Sequence, residues 1–263
     1  MDDIVFVTFA APDQALLERF YDLYGRVFTL PEEREPVEGF RTVLRLNADR
    51  GVQRRFGPLE ERITLATEPG TGRVLGATNY IVYAYPDGVF DYAASCQLNF
   101  ICVDGEARGK GIAGQLLARL ENDLRLYAKA QAPQQPFAAF ITCEQNDPAL
   151  MTPEQLAADR LASGIDPSAR LAWWVRRDFH RLTFRYRQPP LNPGQEPCEY
   201  LNYYVRFVRD GAGPTGLPAA ILKEHLRRFF FVSVGKLEVD MNANAQWREQ
   251  CDLLSGMEWV AAR

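Results

Sequence analysis

"VDGEARGKGIAGQLL", Val103 to Leu117, is the stretch whose reading decides the fold. It places Gly109, Gly111 and Gly114 between an apolar run and a helical pattern. Glycine carries no Cβ, so backbone amides at such a turn can come close to a bound group. The opening of a helix leaves N–H groups without intrahelical partners and presents the positive end of the helix dipole. An anion-binding loop is therefore expected here. The question is which anion.

Gly109-Lys110-Gly111-Ile112-Ala113-Gly114 has the dinucleotide form G-x-G-x-x-G. That motif begins where its strand ends and needs an acid about 20 residues further on. Here Asp104 to Arg108 intervene, and the later region holds Gln131, Gln134 and Gln135. A triphosphate loop needs G-x-x-x-x-G-K-S/T. Gly105 to Lys110 is one residue short, and Gly111 stands where the magnesium-binding hydroxyl belongs. A plain strand-to-helix turn would need one glycine, not three flanked by Arg108 and Lys110.

Arg108-Gly109-Lys110-Gly111-Ile112-Ala113 also fits the form Q/R-x-x-G-x-G/A, after Val-Asp-x-Glu-x and before an Ala/Leu-rich helix. This resembles the acyl-coenzyme A loop of the Gcn5-related N-acetyltransferase (GNAT) superfamily. "EQNDP" and "YRQPPL" bear a fainter likeness to poorly characterised bacterial members. The resemblance covers roughly residues 3 to 209, with only the loop specific. It implies an α/β acyl-CoA N-acyltransferase fold, a mixed, mostly antiparallel sheet flanked by helices, and acetyl-CoA or another acyl-CoA as co-substrate without a metal. By the same resemblance the coenzyme's pyrophosphate would lie on Arg108, Gly109, Lys110, Gly111, Ile112, Ala113 and Gly114. Its pantetheine arm would run along the backbone of Phe100, Ile101, Cys102 and Val103, where that strand splays from the next. Asn146 sits where the family often places an asparagine, and it also reads as a turn residue before Asp147-Pro148.

The resemblance implies direct attack of an amine on a thioester, which calls for a base, oxyanion donors and an acid for the thiolate. Many members supply the acid from a tyrosine four residues before a Gly-Phe pair. Here Trp174 replaces the tyrosine and Asp178-Phe179 the pair. An indole cannot protonate a thiolate, so Tyr203, Tyr204 or solvent is left. The strand that carries a glutamate in some members reads "SCQLNFI", where Gln97 and Asn99 can orient water only. Glu144, at the end of the next strand, is the carboxylate on offer as a base; a strand-end surface charge is its other reading. His180 reads as a surface or half-buried residue ahead of a base, and Trp173 and Trp174 as packing ahead of a substrate or acyl wall. Arg181, Arg185 and Arg187 suit an anionic acceptor or the coenzyme's 3′-phosphate, or a solvated face. Glu32, Glu33 and Glu35 suit attraction of a cationic amine, or a solvent loop.

Composition sets the limits. The chain has 263 residues, 47% hydrophobic and 24% charged, with a formal net charge of -4. It reads as a globular protein and not as a nucleic-acid binder. Two histidines leave little for a zinc site, and the five cysteines lack C-x-x-C spacing, several sitting in apolar runs that read as buried thiols in a reducing, cytoplasmic compartment. Neither a secretory signal nor a membrane span is expected.

Periodicity predicts a strand at Ile4–Phe9, a helix through Leu16 to Phe28, and a second helix from Val37 to about Arg50. Strands follow at Arg62–Thr67, Arg73–Ala84 and Gln97–Val103, then the long helix from Ile112 and a strand at Phe137–Cys143. Two helices, a strand at Arg181–Arg187 and another through Leu201 to Phe207 complete an acyltransferase domain of residues 1–210. "RDGAGPTGLP" marks a hinge, and residues 211–263 are a helical extension with apolar stripes. Those stripes are expected to pack within the chain or, failing that, in a homodimer. Two rival functions remain: a longer-chain acyltransferase using acyl-CoA or acyl carrier protein, and a coenzyme-A-binding regulatory domain without catalysis. The acceptor, a small molecule or a peptide amine, is not named by the sequence.

Overall fold

In the computed structural model, residues 4–30, 34–88, 90–189, 198–209 and 213–263 are described. The chain divides into two units, residues 1–137 and 138–263.

The first unit runs β1 (Val5–Phe9), α1 (Gln14–Val27), α2 (Val37–Leu46), α3 (Arg50–Phe56), β2 (Leu59–Thr67), β3 (Val74–Ala84), β4 (Ala94–Val103) and α4 (Ile112–Gln131). Its strands pair antiparallel in the order β1-β2-β3-β4. Alternation sends Ile63, Leu65, Ala77 and Cys102 to one face, where they pack on Leu17, Phe20, Leu23 and Tyr24 of α1 and Phe40 and Leu44 of α2. Burying each large apolar side chain is worth about 1.5–3 kcal/mol. On the other face Ala66 and Leu75 meet Ile112 and Leu116 of α4. Gly76 sets that approach: a Cβ there would lie 2.9 Å from Ile112 Cγ2 and 3.0 Å from the Cys102 carbonyl oxygen.

One helix was expected from Val37 to about Arg50; two form. The Asp49 carboxylate accepts from Gly51 N–H (2.7 Å) and Val52 N–H (3.2 Å), starting a new helix. Asn47 is tied by its amide nitrogen to the carbonyls of Ala10 and Glu61.

The second unit runs β5 (Ala138–Asn146), α5 (Pro153–Ser163), α6 (Pro167–Val175), β6 (His180–Arg181), β7 (Leu201–Arg209), β8 (Gly216–Pro218), α7 (Ala219–Arg228), a π-turn (Phe229–Val234), α8 (Ala245–Ser255) and β9 (Trp259–Ala261). β7 pairs antiparallel with β5 and β6, and β8 with β9. Thr152 and Gln155 form a reciprocal capping box on α5.

The strand expected at Arg181–Arg187 is a correction. Its pairing with β7 is limited to His180 and Arg181, with the Leu182 N–H donating to the Tyr203 carbonyl just beyond. The Arg181 and Thr183 N–H groups instead donate to the carbonyls of Arg263 and Ala261. Leu182 and Tyr186 are buried all the same, so the period of two reported burial and not ladder bonding. The helical pattern after residue 218 takes the form of α7 and α8, and α7 lies on β5, with its His225 ring 5.3 Å from Phe140.

Strands flanked by helices, as expected, make up the described chain, and α7 and α8 lie towards its C-terminal end.

Candidate active site

The glycine loop belongs to the first unit. Asp104 closes β4 and accepts from Glu106 N–H at 3.1 Å, starting a 3-10 turn over Gly105–Ala107. Arg26 and Arg73 reach the same carboxylate at 3.2 and 3.1 Å, and Arg73 also binds Glu106 at 2.6 Å. Partial burial pushes the Asp104 carboxyl up, but the Glu106 N–H and the two arginines hold it below the usual carboxylate range. The start of the loop is thereby pinned.

Gly109 and Gly111 both take left-handed backbone, φ +79 and +77. A Cβ at either would meet nothing within 4 Å. Conformation and open space, not crowding, call for glycine here. Gly111 is the N-cap of α4 and supplies no side-chain cap, so the first-turn amides point to where an anion would sit. Lys110 is exposed, Ile112 is buried under the helix, and Ala113 and Gly114 are half-buried in its first turn. Ile101, Cys102 and Val103 pair with Thr78, Ala77 and Gly76 of β3. The Cys102 thiol is buried, which pushes it up to about 12.

Glu144 lies in the second unit, opposite Tyr203 in the β5–β7 register. Its Oε1 accepts from the Tyr186 hydroxyl, and its Oε2 accepts from Gln188 Nε2 at 3.0 Å. Burial pushes its carboxyl up to about 7, against the opposing effect of the Tyr186 hydrogen bond. A group titrating near neutrality can accept and release a proton at working pH. Tyr186 stacks on Tyr203 at 4.6 Å between ring centroids. The Tyr203 hydroxyl, buried, donates to Thr142 Oγ1 at 3.0 Å and lies 3.1 Å from His225 Nε2, which is also 2.7 Å from Thr142 Oγ1. Complete burial draws His225 down to about 3, with a further push from Arg228. It is a neutral member of this network.

The other expected residues fall as follows. Asn146 donates to Asp159 Oδ2 at 3.1 Å, and Asp159 is held by Arg170 through both guanidinium nitrogens at 2.8 and 2.6 Å. Arg185 and Arg187 each reach Glu199 and Glu249 at 3.2–3.8 Å, so they face carboxylates. Arg181 lies 3.8 Å from Asp147. Trp174 is buried edge-on against Phe179, a packing role. Asp178 has left-handed backbone, φ +61. His180 is exposed, 3.9 Å from Asp178. Glu35 is buried, and its N–H donates to the Tyr24 hydroxyl at 2.9 Å. Glu32 and Glu33 lie outside the described residues.

Sequence reading did not link Tyr186, Gln188 and His225 to Glu144. It also did not see that Asn99 of β4 connects through Asn79 to a buried carboxylate, Glu61. Among the described residues no three His, Cys, Asp or Glu side chains are grouped to hold a metal ion, and no helix is long and apolar enough to cross a membrane.

No family model matches this chain, and no curated protein matches it. Solved structures do. One is an aminoglycoside 6′-N-acetyltransferase complexed with coenzyme A, 12% identical, TM-score 0.45, over 80% of this chain and 99% of that one. Another is the IAA acetyltransferase from Bacillus cereus, 12% identical, TM-score 0.42, over 78% and 100%. A third is a GNAT-family N-acetyltransferase from Escherichia coli in complex with coenzyme A, 18% identical, TM-score 0.38, over 80% and 84%.

Proposed function

We propose that this chain is an N-acyltransferase that moves an acetyl group from acetyl-CoA to an amine by direct attack. One observation carries the reading: Gly109 and Gly111, both left-handed and both open, stand directly ahead of α4. A pyrophosphate bound there would accept hydrogen bonds from first-turn amides and gain from the helix dipole, about 0.3–1 kcal/mol per charge at an exposed helix end. Arg108 and Lys110 add positive charge beside it. Ile101, Cys102 and Val103 carry the adjoining strand backbone, to which an amide-bearing arm would bond as an added strand.

In the reaction the amine nitrogen forms a bond to the thioester carbonyl carbon, the carbon–sulfur bond breaks, and coenzyme A leaves as a thiolate. The amine must be neutral to attack. We assign Glu144 to take its proton, directly or through water, burial having pushed its carboxyl up to about 7. Tyr186 and Gln188 orient that carboxylate. The Tyr203 hydroxyl is shared with Thr142 and His225, so we assign Tyr203 to supporting Tyr186 and let solvent protonate the thiolate. Asn146, tied to Asp159, holds the end of β5 in place for Glu144.

The test is release of free coenzyme A from acetyl-CoA with a panel of primary amines, alongside titration calorimetry of acetyl-CoA. Saturable binding and amine-dependent release are expected. Absence of acetyl-CoA binding would overturn the reading. Binding without turnover on any amine would favour a coenzyme-binding regulatory domain, and a rate that climbs with chain length would favour a longer acyl donor.

A further inference from the structure

In the first unit a line of polar side chains crosses three strands on the face covered by α1 and α2. Glu61 of β2 is 2% exposed and Asn79 of β3 is 1% exposed. Asn79 Nδ2 donates to Glu61 Oε1 at 2.5 Å and to the Arg62 carbonyl at 3.3 Å. Asn79 Oδ1 accepts from Asn99 Nδ2 at 3.0 Å. The β3–β4 register slips at this point: Asn79 pairs with Phe100 and Tyr80 with Leu98, which leaves Asn99 as the extra residue of a bulge. A bulge re-aims a side chain that strict alternation would send to the other face. Asn99 and Phe100, although consecutive, therefore both meet residues of the α1–α2 face.

The chemistry of the line has one direction. A carboxylate and a carbonyl oxygen can only accept. They fix the NH₂ of Asn79 toward themselves and its oxygen toward Asn99. That oxygen in turn needs a donor, so the NH₂ of Asn99 must face it. The Asn99 oxygen is left at the far end as a pure acceptor. It is buried, and no donor among the described residues reaches it. A buried acceptor without a donor is costly and rare in a folded protein. Beside it, Phe100 packs against Tyr24, Phe28 and Phe40 with ring centroids 4.9, 5.2 and 5.7 Å away. Aromatic faces attract a cation and suit an apolar stem.

We propose that Asn99 Oδ1, oriented by Asn79 and Glu61, is the acceptor for an N–H of the substrate's amine, and that the substrate is a primary amine on an apolar or aromatic stem. The inference rests on the amine-acyltransferase reading and narrows its acceptor. Asn99 is the binding residue; Asn79 and Glu61 act through it as positioning residues. The strand that lacks a carboxylate of its own thus presents an acceptor whose direction is set by a carboxylate two strands away.

The test needs no coenzyme and no turnover. The full chain, with its asparagine side-chain amides labelled for NMR, is titrated with 2-phenylethylamine and separately with 3-phenylpropionate. The second probe has a similar shape but, when ionised, only accepts. Saturable binding of the amine, with the Asn99 NH₂ signals shifting first, and little binding of the carboxylate are expected. Asn99→Leu should weaken amine binding at least about tenfold, the scale of one lost hydrogen bond in a buried site. Asn99→Ser gives a second variant should Asn99→Leu fail to fold, with the same loss expected. Asn79→Leu should weaken the amine less, because Asn99 remains but is free to flip. Equal binding of the two probes, no saturable binding of the amine, or unchanged affinity in a folded Asn99 variant would overturn the proposal, the unpaired oxygen then being a water site. Calorimetry of acetyl-CoA on the same samples keeps this outcome separate from the acyltransferase reading.

Discussion

The Tyr186 hydroxyl donates to the Glu144 carboxylate while its ring stacks on Tyr203, the residue directly opposite Glu144 in the β5–β7 ladder. One aromatic side chain thereby links the carboxylate to the Thr142–His225–Tyr203 network. The stack is worth about 0.5–1.5 kcal/mol beyond the area it buries.

Glu144→Gln keeps the shape and removes the proton acceptor. Turnover should fall by about 10²-fold or more at neutral pH, and the rise in rate through pH 7 that a carboxyl at that value gives should disappear. Acetyl-CoA affinity should stay the same. Rate–pH profiles with an amine that the screen identifies, and calorimetry of the same protein, check both halves. A profile unchanged in the variant would make Glu144 structural.

The same carboxyl ties stability to pH. Its folded value lies above its ordinary 4.5, so its contribution is complete below pH 4.5 and is lost as pH rises toward 7. Glu144→Gln should flatten that loss, by about 1.4 kcal/mol per pH unit at most. His225 slopes the other way. Burial lowers it from 6.5 to about 3, so its contribution is present above pH 6.5 and is lost as pH falls toward 3. Arg228, on its own helix, adds to the lowering, while Thr142, Tyr203 and Phe140 face it from the strands. His225→Gln should remove the acid loss. Urea unfolding of wild type and both variants between pH 4 and 8 separates the two slopes.

Gly111→Asp should weaken acetyl-CoA binding at least about tenfold, because a charge would stand where phosphate must sit. The left-handed backbone adds strain of about 1 kcal/mol or more to any side chain other than Asn or Asp. Gly111→Asn tolerates the same backbone without the charge and should bind better than Gly111→Asp. Equal affinity in wild type and both variants, by calorimetry, would end the phosphate reading of this loop.

Ending the chain at residue 210 removes α7, α8, β8 and β9. Phe140, Thr142 and Tyr203 would lose His225, and Arg181 and Thr183 would lose the C-terminal carbonyls that accept from their N–H groups. Aggregation, or a loss of several kcal/mol of stability, is expected. Light scattering and thermal unfolding measure it; a monomeric truncated chain as stable as the full one would show the segment to be dispensable.

The local signals were legible because they are local. Gly109 and Gly111, ahead of an Ala/Leu-rich helix, specify a turn and a helix start by backbone sterics, and they and α4 lie where that pattern put them. Period two and period 3.6 marked which side chains are buried. They could not say which backbones would pair, so Leu182 and Tyr186 are buried without continuing a strand. Nor did periodicity show the break at Asp49, which a side-chain cap decides.

What only the tertiary structure decided are the polar partnerships between distant segments. Glu144 meets Tyr186 and Gln188 across more than forty residues, and Thr142 meets His225 across 83. Glu61 reaches Asn99 through Asn79 because three strands lie side by side and β4 carries one extra residue. A sequence states each of these residue types but not its neighbours, and the neighbours set the chemistry. Burial in a particular place is what moves Glu144 toward neutrality and His225 away from it. A bulge is what turns Asn99 to the face where a carboxylate can orient it.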